Sequence, residues 1–85
     1  MEKVYLVVNL KTDEIGMNSC EIEVFDSMKS ARKYFIDIVA NIEKTLQDDN
    51  NEFDGYYRDV DSFQVSLKSS AESYEIYIAE KIIKE

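Results

Sequence analysis

The side chains with chemistry to offer are carboxylates: 18 Asp and Glu stand against 10 Lys and Arg, and histidine is missing altogether. Without an imidazole, His-assisted serine and cysteine nucleophiles are excluded. Two carboxylates could serve as general acid and base, yet no spacing singles out such a pair. Gly16 and Gly55 stand in unrelated segments and build no phosphate-cradling loop. The single cysteine, Cys20, rules out an intrachain disulfide and a four-cysteine zinc site. In the alternating run Cys20-Glu21-Ile22-Glu23-Val24 it reads as a small buried hydrophobe rather than a reactive thiol. The expectation is a chain that is not an enzyme and carries no cofactor.

The strongest compositional anomaly runs from Asp48 to Asp61. Asp48, Asp49, Glu52, Asp54, Asp59 and Asp61 are opposed there only by Arg58, with Phe53, Tyr56 and Tyr57 among them. Clustered like charge with Asn and Gly predicts a solvated loop. Aligned to a calcium loop with Gly55 sixth, Asn50, Glu52 and Asp54 take the first, third and fifth places and Asp61 the twelfth. The match is degenerate, because Asn opens it, no bidentate Glu closes it and a strand pattern follows. A solvated acidic loop is therefore the reading, with calcium binding the lesser alternative and no metal site assigned. Such a loop suits a basic surface on another protein, with Asp48, Asp49, Glu52, Asp54, Asp59 and Asp61 supplying field and Tyr56 and Tyr57 supplying anchors.

The formal charge of −8 repels phosphate backbones and anionic lipid, so direct nucleic-acid or membrane binding is disfavoured. The same field speeds encounter with basic proteins, nucleic-acid-binding proteins included. No run of eighteen apolar residues occurs, and the apolar run near Val4 is interrupted by Asn9 and Lys11. A cysteine-poor chain of this kind is expected in the cytoplasm.

Behind these residues must lie one domain, since 85 residues allow a single core. Residues 4–10 are apolar on both alternating faces, the pattern of an interior strand. Residues 20–25 alternate cleanly, and Glu21 and Glu23 suit an edge. Asp26-Ser27 is a helix N-cap signal, and Ala31, Phe35, Ile38, Val39, Ile42 and Leu46 form one stripe of a helix ending near Asp48. Phe63, Val65 and Leu67, then Tyr74, Ile76 and Ile78, mark two further strands. The predicted fold is α+β, ordered β-β-α-β-β, a four-stranded largely antiparallel sheet with one long helix on one face. The spatial order is 2-1-3-4 or 2-1-4-3. The uncovered face is expected to carry Tyr5, Val7, Glu21, Glu23, Gln64, Ser66, Lys68, Glu75 and Tyr77, with Tyr5, Val7, Tyr77 and Ala79 as an apolar contact centre.

The sequence Val24-Phe25-Asp26-Ser27, followed by Ala31 and Tyr34-Phe35, resembles short accessory proteins of bacterial phages and mobile elements. The acidic, histidine-free character is similar to small inhibitors of the anti-CRISPR and DNA-mimic type. The resemblance implies a small binding protein or inhibitor and assigns no residue a role. Two readings follow. In one, the acidic segment engages a basic partner. In the other, the chain is a structural module that forms a homodimer through the uncovered sheet face or an edge strand, and charge at Val7 or Tyr77 breaks it.

Overall fold

Apolar strand runs and one 3.6-residue stripe account for the helix and four of the five strands. The structure, a computed structural model, describes residues 2–48, 52–68 and 71–83. In chain order these are β1 (Glu2–Thr12), β2 (Asn18–Phe25), α1 (Met28–Asp48), β3 (Phe53–Arg58), β4 (Ser62–Leu67) and β5 (Ser73–Ile83). The sheet is antiparallel throughout, in the order β2-β1-β5-β4-β3. With β3 set aside this is the 2-1-4-3 alternative, with β1 interior and β2 at an edge.

The helix begins where the cap signal placed it. Ser27 Oγ accepts from the Ser30 backbone N–H at 3.2 Å, satisfying one of the donors a helix start leaves free. Its stripe buries Ala31, Phe35, Val39 and Leu46 against Val7 of β1, Phe63, Val65 and Leu67 of β4 and Ile76 of β5. Tyr5, Phe25, Tyr34, Ile38, Ile42, Tyr74 and Ile78 pack around that centre. The Cα envelope, 47 × 23 × 15 Å, is thick enough for this single helix–sheet layer.

The β1–β2 connection is held by Asp13. Its Oδ1 accepts from Ile15 N at 3.1 Å and from Met17 N at 2.9 Å, while its own N–H donates to the Met17 carbonyl at 2.9 Å. Gly16 sits at φ +86°, a left-handed conformation that glycine adopts without steric cost.

Three expectations are corrected. The acidic segment contains a fifth strand, because Phe53, Tyr56 and Tyr57 are good strand formers and β3 pairs with β4 from Phe53↔Leu67 to Arg58↔Phe63. A register shift between Phe53 and Gly55 accommodates Asp54. Second, Val7 is 1% exposed and lies beneath the helix, where Tyr5 also packs. Both were expected on the uncovered face together with Glu21 and Glu23; the registers Val7↔Ile78, Val7↔Glu23 and Asn9↔Glu21 fix all four on the helix side instead. Third, Cys20 is exposed rather than buried, because it lies on edge strand β2 on the side away from the helix.

Candidate functional site

The register divides each strand into a helix side and an open side. On β1 the open side carries Val4, Leu6, Val8 and Leu10, since Tyr5 and Val7 face the core. Their partners on β2 are Val24 opposite Leu6, Ile22 opposite Val8 and Cys20 opposite Leu10. On β5 they are Lys81 opposite Val4, Ala79 opposite Leu6, Tyr77 opposite Val8 and Glu75 opposite Leu10. Val8, at the centre of this set, is only 7% exposed. Val24 and Ile22 remain 60% and 53% exposed. Toward β4 the face turns polar, with Ser62 opposite Tyr77 and Gln64 opposite Glu75. The result is a contiguous apolar patch over β2, β1 and β5, rimmed by polar residues. A shallow depression at one end of it is lined by Val4, Leu6, Val24, Lys81, Ile82 and Ile83.

Strand β2 is the informative element. An edge strand over a helix ordinarily turns its apolar side to the core and its charges to solvent. Here Glu21 and Glu23 lie on the helix side and Cys20, Ile22 and Val24 on the open side. The carboxylates reach the neighbourhood of Tyr34, whose phenol is pushed above its ordinary value by burial and then by Glu23 and Glu21. A local pattern set against the core of its own domain marks a surface used for something else.

The acidic segment forms a second site of different character. Glu43 of α1 bridges to β3, accepting from Tyr56 Oη at 2.7 Å and from Arg58 at 2.6 Å. That hydrogen bond from the phenol to Glu43 is the largest reason the Tyr56 phenol is held above its ordinary value. Phe53 stacks on Tyr56 at 5.9 Å, and Tyr56 meets Phe63 edge-on at 5.8 Å. These rings, with Glu43, Leu46 and Gln47, line a cleft of about 280 Å³ between helix and strand.

The structure disperses the acidic residues predicted as a site. Asp48 ends the helix, and Asp49 lies outside the described residues, as does Asn50 of the calcium alignment. Asp61 pairs with Arg32 at 3.2 Å, and Glu52 approaches Lys68 at 3.9 Å. Asp59 accepts from Tyr57 Oη at 3.1 Å and from Val60 N at 2.7 Å. Asp54 is exposed at the register shift. Among the described residues no cluster of three or more metal-ligating side chains occurs. Of the residues predicted for the sheet-face contact, Tyr77 and Ala79 lie on the open face and Tyr5 and Val7 do not. Sequence reasoning missed Ile22 and Val24, although their alternation with Glu21 and Glu23 was the available signal. Among the described residues no helix is long and apolar enough to cross a membrane. No protein-family model, curated protein or solved structure matches the chain.

Proposed function

We propose that this chain is a small non-catalytic protein-binding domain whose contact surface is the open face of β2, β1 and β5. The observation that carries the reading is the reversed polarity of β2, which sets Ile22 and Val24 in solvent beside Val8 and Leu6. Burying such side chains is worth about 25 cal/mol per Å² of apolar surface, the dominant gain in most protein association. An apolar centre with a polar rim is the usual anatomy of a protein contact.

The second reading, an acidic contact with a basic protein of the inhibitor or nucleic-acid-mimic kind, is supported by the exposure of Glu52, Asp54 and Asp59. It is the weaker of the two because Asp61 is already ion-paired with Arg32, and Glu43 with Arg58, inside the chain.

Affinity capture with tagged protein separates them, using lysate supplemented with an untagged copy of the chain, at low and moderate salt. Wild type is compared with Ile22→Glu and with an Asp54→Asn/Asp59→Asn double variant. Loss of the captured species with Ile22→Glu alone is the expected result. Capture that survives Ile22→Glu but is lost with the neutralised carboxylates and with salt overturns the open-face reading.

A further inference from the structure

We infer that the occupant of the open face is a second copy of this chain, packed face to face about a two-fold axis. The inference rests on the open-face reading above and names its partner. Charge is the first argument. The chain carries −8, so two copies repel over most orientations. Across β2, β1 and β5 the open face bears only Glu2, Glu75 and Lys81 among charged strand residues, a net of −1. Two acidic copies can approach there with little of their charge opposed. A basic partner, by contrast, finds little on this face to attract it.

Area is the second argument. A monomer of 9.9 kDa is expected to expose about 5,200 Å² by the usual surface scaling. This chain exposes 6115 Å². The excess, about 900 Å², is close to the roughly 800 Å² per partner of a standard-sized interface. Three strands about 4.8 Å apart, paired over eight or more residues, present a flat, β-branched face of the kind that packs against another at about 10 Å.

The geometry also selects face packing over pairing of the two exposed β2 edges. In an antiparallel β2–β2 ladder centred on residues 21–23, with both helices on one side, Glu21 and Glu23 of the two copies fall opposite one another. Like charges directly opposite destabilise a ladder. In the face-to-face arrangement both carboxylates point away from the interface.

Cys20 is a built-in reporter, exposed in one copy and covered in the pair. Sedimentation velocity from low micromolar to several hundred micromolar should show mass rising toward twice 9.9 kDa. Over the same range the maleimide reactivity of Cys20 should fall by about tenfold or more, following the dimer fraction. Ile22→Glu and Val24→Lys, both at positions exposed in the single copy, should keep the wild-type circular dichroism, stay monomeric and react at a constant rate. Ile36→Glu, an equally exposed apolar site on the helix, should still dimerise. A constant 9.9 kDa, or a dimer whose Cys20 stays fully reactive, overturns the inference. If wild type is monomeric yet Ile22→Glu abolishes capture of another protein, the open-face reading stands and only the second copy falls.

Discussion

The two edges of the sheet are equally open to solvent and differ in what they show it. Every residue of β3 is exposed, and so is every residue of β2 except Phe25. At the β3 edge the exposed groups are tied back into the molecule: Tyr56 and Arg58 to Glu43, Tyr57 to Asp59. At the β2 edge the exposed groups include Ile22 and Val24, which no element of the same chain covers. Clustered charge draws attention in a sequence, but charge can be consumed by partners inside the fold. Ile22 and Val24 flank Val8 and Leu6 within the chain, yet more than half of each stays in water.

The largest test of this difference compares a residue packed beneath the β3 edge with one on the β2 edge. Phe63 of β4 is 1% exposed and packs under Tyr56, so Phe63→Ala should cost about 3–5 kcal/mol in urea unfolding. Ile22→Ser, measured at a concentration where the chain is monomeric, should cost only about 1 kcal/mol, because Ile22 is half in water already. Comparable costs would mean that the open face belongs to the monomer's own stability, and the contrast between the edges would be lost.

A smaller effect is expected at the turn that presents β2. Gly16→Ala places a Cβ at φ +86°, with nothing within 4 Å of it, so the cost is conformational alone. It should be about 1–2 kcal/mol. Hydrogen exchange should then quicken in β2 and remain unchanged in β3. Faster exchange in β3 as well would show that the two edges open together.

How much of this could be read beforehand depends on what each pattern specifies. The helix stripe from Ala31 to Leu46 fixes both length and buried face, because a 3.6 period has a single apolar side. The interior place of β1 follows from its two apolar faces, but that same property leaves its phase undetermined. With Val4, Leu6 and Val8 as apolar as Tyr5 and Val7, only the register with Ile78 shows which set meets the helix. For β2 the alternation was plain, yet its direction was not. The core-side rule put Cys20, Ile22 and Val24 inside, and the fold sets them outside. β3 was hidden because Glu52, Asp54, Asp59 and Asp61 made the segment resemble a loop. The charge relief for Arg58 and the clamp on Tyr56 come from Glu43, 15 and 13 residues earlier, and no local window contains them.

That clamp gives the third test. Glu43→Ala removes the acceptor of both Tyr56 and Arg58, and Glu43 is the less exposed member of its ion pair. The expected cost is about 0.5–1 kcal/mol, as befits a partly solvated contact. The loss should be local, with faster exchange at Tyr56–Arg58 and none at β2. Unchanged exchange in β3 would mean that backbone pairing with β4 alone holds this edge.

The smallest effect is a titration. Glu43 accepts the Tyr56 hydrogen bond, so the folded chain keeps a phenolic proton that the unfolded chain releases near the ordinary tyrosine value of about 10. The folded value is raised. The contribution to stability is therefore complete below the ordinary value and is lost as pH rises through the folded one. Glu43→Gln removes the carboxylate charge while keeping an acceptor. In a spectroscopic titration of the phenols it should bring one tyrosine down toward its ordinary value and leave Tyr34 high, since Tyr34 is raised by burial and by Glu23 and Glu21. A titration indistinguishable from wild type would show that Glu43 does not hold Tyr56, and the β3 edge would then be as unclaimed by its own chain as β2.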